Sequence, residues 1–220
     1  MIVKQDQWCQ DVEGWQRETL GKRVVEALKA NWFDALYVPD REEATKYVLG
    51  YCVPGKVVAH GGSATLTRDM AIIDKIKATG ATLIENAYGD PEAMFEGRRK
   101  QLLSDVYLCS VNALTMDGYL VSVDGAGNRT GAMTFGPRKV IVVAGANKIC
   151  PDLPSAWQRL EKVAGPMNLK RLNAPTPCVQ TGYCMDCRAD KRGCRIYTVL
   201  KRRPMLTDIT VVVVGENLGF

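Results

Sequence analysis

Apolar residues recur along this chain first with a helical period and then in short alternating runs. Between residues 11 and 33, Leu20, Val24, Val25, Leu28 and Trp32 mark one face of a helix. Ala35 to Val38 is a short strand, and Asp40 followed by Glu43 opens a second helix with a capping-box pattern that stops near Gly50. Lys56 to Ala59 is a buried strand. Gly61-Gly62 then leads into a helix from Ser63 to Thr79 with Leu66, Met70 and Ile73 on one face. After the strand Thr82 to Ile84, Asp90-Pro91 supplies an N-cap and a first-turn proline for a helix reaching Ser104. Strand and helix alternate this far, which predicts right-handed crossovers and a parallel sheet.

From residue 105 the pattern changes. Val106 to Ser110, Tyr119 to Val123, Thr130 to Phe135 and Val140 to Ala144 read as strands. The turn residues between them predict hairpins and a largely antiparallel or mixed region. A helix from Pro154 to Val163, stopped by Gly165-Pro166, is followed by a cysteine-rich segment. Ile196 to Lys201 and Ile209 to Val214 are closing strands.

The 220 residues are 46% hydrophobic and 24% charged, an ordinary globular balance that excludes disorder and coiled coil as the main organisation. The expectation is one α/β domain over residues 1–220. No apolar run approaches the ~20 residues of a bilayer span, and the start Met1 to Asp6 is polar, so a soluble, cytoplasmic protein is expected. The net charge of +5 is local. Arg188, Lys191, Arg192, Arg195, Lys201, Arg202 and Arg203 face a single acid, Asp190, and the rest of the chain is close to neutral. Such a patch suits an acidic partner or a polyphosphate. Nucleic acid fits less well, because Tyr197 alone is interleaved to stack bases.

Three features carry candidate chemistry. His60-Gly61-Gly62-Ser63-Ala64-Thr65 lies between a strand and a helix, where free amides and the hydroxyls of Ser63 and Thr65 suit a phosphate or carboxylate; a plain turn capped by Ser63 is the competing reading. His60 is the sole histidine, which excludes multi-histidine metal sites. Asp124-Gly125-Ala126-Gly127-Asn128-Arg129-Thr130-Gly131 resembles a dinucleotide fingerprint but carries Thr130 where glycine is required, and reads as a glycine-rich hairpin loop. The third feature is the cysteine spacing Cys178-x5-Cys184-x2-Cys187-x6-Cys194 within the segment 178–203. Four soft ligands suit zinc or an iron–sulfur cluster, with Arg188, Lys191, Arg192 and Arg195 offsetting the thiolate charge. A redox pair at Cys184 and Cys187, or inert thiols, are the alternatives.

The block from Asn112-Ala113-Leu114-Thr115-Met116-Asp117-Gly118 through Asp124 to Arg129 and Gly136 to Ile149 closely resembles the lactate-utilisation (LUD) domain family. His60-Gly61-Gly62-Ser63 and the closing Val211 to Phe220 share the resemblance. It implies a three-layer α/β fold, mostly parallel with an antiparallel extension, similar to ribose-5-phosphate isomerases, glucosamine-6-phosphate deaminases and CoA transferases. It further implies a role in lactate oxidation as one subunit of a complex whose other subunits carry iron–sulfur clusters. By that similarity the pocket would be lined by Gly62, Ser63, Thr65, Asn112, Asp117, Asp124, Asn128, Asn147, Lys148 and Glu216. The four-cysteine segment is not general in the family and marks a separate branch.

The resulting expectation is oxidation of a small 2-hydroxy or 2-oxo acid. Amides at Gly62 and Ser63 would orient the anion, Lys148 or Arg129 would add positive charge, and Asp117, Asp124 or Glu216 would act as base. One alternative is a phosphosugar isomerase or CoA-transferase-like activity using Glu216 or Glu85. Another is a zinc-stabilised binding or regulatory module using its basic tail. The sequence leaves open whether the chain forms an oligomer.

Overall fold

The computed structural model describes residues 5–220; Met1 to Lys4, part of the polar start, lie outside them, as does the side chain of Cys9. Six strands form a parallel sheet: β1 (Asp34–Val38), β2 (Val57–His60), β3 (Thr82–Ile84), β4 (Val106–Cys109), β7 (Lys139–Gly145) and β10 (Asp208–Val214), in the order β1-β10-β7-β4-β2-β3. Four strands form a second, mixed sheet: β8 (Ile149–Cys150), β5 (Ala113–Thr115), β6 (Leu120–Asp124) and β9 (Ile196–Leu200), in that spatial order.

The central strands show why the run Val140 to Ala144 is apolar throughout. Val140, Val142 and Ala144 join Ile209, Val211 and Val213 in one core, against Val24, Val25 and Leu28 of helix α1 (Gln5–Ala30) and Met133 of α5 (Asn128–Thr134). Ile141, Val143, Val212 and Val214 point the other way. They meet Ala44 and Val48 of α2 (Arg41–Leu49) and Ile72 and Ile76 of α3 (Ile72–Ala78). Period-two alternation between two covered faces is what a buried parallel sheet requires. The mixed sheet packs Leu114 and Leu120 into the first core and turns Ala113 and Val121 toward α6 (Leu153–Arg159). The fold is therefore three-layer α/β, mostly parallel, with a mixed extension. Among the described residues no helix is long and apolar enough to cross a membrane.

Local signals are confirmed at the helix starts. The Asp40 carboxylate accepts the Glu43 amide and that of Asp90 accepts the Ala93 amide, each at 2.9 Å, the latter opening α4 (Pro91–Gln101). Five expectations need correction. The strands after residue 105 do not form a run of hairpins: β4, β7 and β10 pair in parallel at the centre of the main sheet, and among the described residues only β5–β6 and β6–β9 are antiparallel. Trp32 does not continue the buried stripe: it follows the end of α1 with a φ of 68° and is 67% exposed, under the Arg202 guanidinium. Thr130 to Thr134 is helical rather than extended, with only Phe135 in extended backbone, because the Asp124 carboxylate caps the Thr130 amide at 2.9 Å and fixes a helical first turn. The helix expected from Ser63 to Thr79 is divided. A π turn, Thr65–Asp69, ends before Ala71, which sits at φ 46°, so the buried face continues at Ile72 and Ile76 rather than Ile73. Gly165-Pro166 does not stop the later helix either. A second π turn, Leu160–Ala164, places Pro166 in the first turn of α7 (Gly165–Arg171), where no amide donor is needed.

The β5–β6 turn docks on the end of α1. Asn31 Nδ2 donates to the carbonyls of Asp117 and Gly118 at 2.7 and 3.0 Å. Gly118 has a φ of +75°, and a side chain there would start 2.6 Å from the Ala27 carbonyl carbon. Gly118→Ala is expected to lower the unfolding free energy by about 3 kcal/mol, from left-handed strain plus a backbone clash, read as a reduced urea midpoint at unchanged slope.

Candidate functional site

Parallel sheets bring the ends of successive strands to one edge, and ligands of such sheets bind there. At the carboxyl edge of β2, β4 and β7 lies a pocket of about 370 Å³. Its floor is Lys148, which follows β7 on a short 3-10 turn and is 3% exposed. Its ammonium group donates to Ser110 Oγ at 2.7 Å, just beyond β4, and to Thr65 Oγ1 at 3.0 Å, beyond β2. No carboxylate pairs with it among the described residues. Burial, seconded by the guanidinium groups of Arg159 and Arg129, lowers its pKa from the ordinary 10.5 to about 7. At neutral pH this amine is poised between a cation and a proton acceptor.

The walls carry further cations. Arg98 of α4 and Arg171 of α7 line the pocket, Arg171 steadied by the Gly62 carbonyl at 3.2 Å and Asn168 Oδ1 at 2.8 Å. Arg129 also lines it, but its guanidinium is committed to the protein. It holds Asp124 Oδ1 at 2.7 and 3.0 Å, the Ser110 and Val123 carbonyls at 2.6 and 2.9 Å, and Asn112 Oδ1 at 2.8 Å. Asp124, the one carboxylate in the lining, is thus fixed on one oxygen by Arg129 and on the other by the Thr130 amide. Arg129 and Asp124 neutralise each other, leaving Arg98, Arg171 and Lys148 as the net charge of the pocket.

The structure sorts the sequence candidates into three groups. Gly62, Ser63, Thr65, Asn112, Asp124, Asn128, Arg129 and Lys148 do line the pocket. The Ser63 amide is engaged by the Gly61 carbonyl at 2.8 Å, so it is not offered to a ligand, and the π turn that follows replaces the expected helix start. Gly62 faces open space and its amide has no partner among the described residues.

A second group fastens the site from behind. Gly61 packs behind the site, where a side chain would start 3.3 Å from the Tyr107 hydroxyl, a tight contact. His60 is buried, with Nδ1 2.9 Å from the Gly61 carbonyl, and burial lowers its pKa. Asn147 Oδ1 accepts the Leu218 amide at 3.0 Å, the Glu216 carbonyl accepts the Ala146 amide, and the Glu216 carboxylate holds Arg41 Nε at 2.6 Å. These bonds lay the final segment over the site. A side chain at Gly219 would start 3.1 Å from Lys148 Nζ.

The third group lies elsewhere. Asp117 is exposed at the β5–β6 turn, against the end of α1, and Glu85 is exposed and paired with Lys77 at 2.7 Å. Arg98 and Arg171 were missed by sequence reasoning. Each sits among basic residues in the last turn of a helix, where cations are expected for other reasons.

The loop Asp124 to Asn128 joins β6 to α5, so it is a strand-to-helix turn rather than a hairpin. In the cysteine segment, Cys178, buried at the start of α8 (Cys178–Thr181), lines a small cavity of about 10 Å³ with Cys184 and Cys194. Burial raises the Cys194 thiol pKa, helped by its cysteine neighbours. Among the described residues no group of three or more histidine, cysteine or acidic side chains is already arranged to hold a metal ion. The sulfurs share a wall without meeting at one point. Cys52 and Cys109 are buried in the core, and burial pushes their thiols up to about 11 and about 12.

A helix–sheet–helix sandwich with a cationic pocket at the carboxyl edge of its parallel strands defines the structural class. Residues 21–214 match the LUD domain, and the chain belongs to that family. Among solved structures, that of a DUF162 family protein from Deinococcus radiodurans is similar, with a TM-score of 0.50 and 14% identity over 90% of this chain and 98% of that one. A D-ribose-5-phosphate isomerase in complex with phospho-erythronic acid has a TM-score of 0.36 and 16% identity over 61% and 66% of the two chains. Ribose 5-phosphate isomerase from Plasmodium falciparum has a TM-score of 0.27 and 14% identity over 50% and 52%. No curated protein matches this chain.

Proposed function

We propose that this chain binds a small 2-hydroxy or 2-oxo carboxylate in the Lys148 pocket, as the substrate-binding component of a lactate-utilisation type of oxidation. The observation that carries this reading is the buried Lys148 ammonium, presented by two hydroxyls and, among the described residues, in salt-bridge contact with no carboxylate, Asp69 acting on it only from a distance. An unneutralised buried cation is costly unless a ligand completes it. Arg98 and Arg171 add attraction at the walls, and the Gly62 amide is available to one carboxylate oxygen. Oxidation of a 2-hydroxy acid to a 2-oxo acid releases two electrons and two protons. In this reading Lys148 stays protonated and holds the carboxylate, while the two electrons and both protons leave to an acceptor supplied by a partner protein. The pocket volume lies near the lower end of small-molecule sites, with room for a substituted acid as well as for lactate.

The isomerase and CoA-transferase reading is less well supported. It needs an unengaged carboxylate at the ligand, whereas Glu216 and Glu85 lie outside the pocket lining and Asp124 is held on both oxygens.

Affinity for carboxylates is expected to depend on Lys148 protonation. The free pocket's lysine titrates at about 7 and a bound anion raises that value, so binding weakens as pH rises, by about tenfold per unit above neutrality until the bound-state pKa is reached. Calorimetric titration with lactate, pyruvate and longer 2-hydroxy acids between pH 6 and 9 measures this. Affinity that is flat or increases with pH, or the absence of binding to every such acid, would overturn the reading.

A further inference from the structure

We propose that Cys178, Cys184, Cys187 and Cys194 take up a single zinc ion, and that the ion holds the wall where this segment closes the Lys148 pocket. Several independent features converge on this reading. Three of the four thiols line one cavity, and its volume of about 10 Å³ is that of a single small sphere. The fourth, Cys187, is separated from Cys184 by the two residues of a metal knuckle.

The turn between these two cysteines is built accordingly. Asp186 adopts a φ of 46°, a conformation uncommon for a residue with a side chain, and its amide points at Cys184 Sγ at 3.4 Å. Thr176 Oγ1 lies at the same distance from Cys178 Sγ. Positive charge is at hand. Arg192 holds the carbonyls of Cys187 and Cys194 at 2.6 Å each and pairs with the Asp186 carboxylate at 2.6 Å, so Arg188, Lys191 and Arg195, which the loop also carries, are the charges that would offset the double negative charge of a zinc tetrathiolate.

What else holds this segment is sparse. From Tyr183 to Arg195 there is neither helix nor strand, Tyr183 and Met185 are more than half exposed, and no residue of the stretch belongs to a hydrophobic core. Yet the stretch is tied to the pocket. The Arg195 amide donates to the Asp124 carbonyl at 3.0 Å, a side chain at Gly125 would start 3.0 Å from the Gly193 carbonyl, and Gly193 and Cys194 both line the pocket. Drawing the four sulfurs to within about 2.3 Å of one ion would tighten this wall, and each thiol would give up its proton on ligation.

The test is metal content and Co²⁺ substitution on the full chain. The expected result is one zinc per chain and, after chelation and Co²⁺ titration, the intense visible bands of tetrahedral cobalt bound by thiolates. Both signals should be lost in Cys184→Ser/Cys187→Ser. Because that variant can fail to fold, the cobalt spectrum of the unmodified chain decides independently. A cobalt spectrum without sulfur charge-transfer bands, stoichiometric iron with broad absorbance, or a disulfide among these cysteines would each overturn the proposal. Chelation that removes zinc while leaving backbone exchange of residues 183–195 unchanged would overturn its structural part.

Discussion

Replacing Lys148 with methionine is expected to stabilise the fold at neutral pH while abolishing the pocket's hold on anions. The lysine titrates at about 7 in the folded chain and near 10.5 when exposed to water. Between those values the unfolded chain binds the extra proton, so unfolding becomes harder as pH rises from about 7 to about 10.5. Below that window the buried charge costs the fold about 5 kcal/mol. Methionine of similar length removes the penalty and forfeits two hydrogen bonds, to Ser110 and Thr65, of about 1 kcal/mol each. The net gain near neutrality is about 3 kcal/mol. Urea unfolding of both proteins from pH 6 to 10.5 measures it. The difference should shrink steadily with pH and change sign near the top of the range, once only the lost hydrogen bonds count. A constant difference would show that the amine is not buried as described. Destabilisation tolerated at one buried residue is what a binding site, rather than a core position, is expected to show.

Arg129→Ala should have the opposite effect, lowering stability by about 4 kcal/mol. Its side chain is 15% exposed and its partner Asp124 only 10%. Truncation strands that carboxylate and removes donors from two strand-end carbonyls and from Asn112. Lysine in its place keeps the charge but not the planar fork, so Arg129→Lys should recover less than half of the loss. The informative variant is the double replacement Arg129→Met with Asp124→Asn, which leaves no unpaired charge. Its cost should fall well short of the sum of the single changes. Additive losses would mean that the pair is not coupled and that the β6–α5 turn is held by something else.

Much of the parallel half was legible because its signals are local. The acids at Asp40 and Asp90 cap the helices they were expected to cap, whereas the run at Val140, expected in an antiparallel or mixed region, is a central parallel strand covered on both faces. Expectations failed where a distant partner overrides propensity. Thr130 to Phe135 carries residues that favour strands, yet a carboxylate six positions before Thr130 winds all but Phe135 into a helix. The mixed sheet was only half visible, since β5 and β8 are three and two residues long. Within the site, Thr65 was legible from its position beside a strand end, and Lys148 through the family resemblance alone. Glu216 and Asn147 were placed near it correctly but with the wrong duty, because sequence does not distinguish a side chain facing a ligand from one that ties down the backbone beside it. Arg98 and Arg171 gave no signal that would separate them from any surface arginine.

The two wide turns have a consequence for how this chain can change. In each, an amide reaches back five residues, from Met70 to Thr65 and from Gly165 to Leu160, and Thr65 and Gly165 both border the pocket. Removing one residue from either would restore ordinary winding and swing everything beyond it by about 100°. The helix that begins at Ile72 would then be carried off the sheet face behind Thr65, or Arg171 off its wall. Insertions and deletions accumulate freely in the exposed loops of such a domain, but at these two places the length of the chain is itself part of the recognition surface.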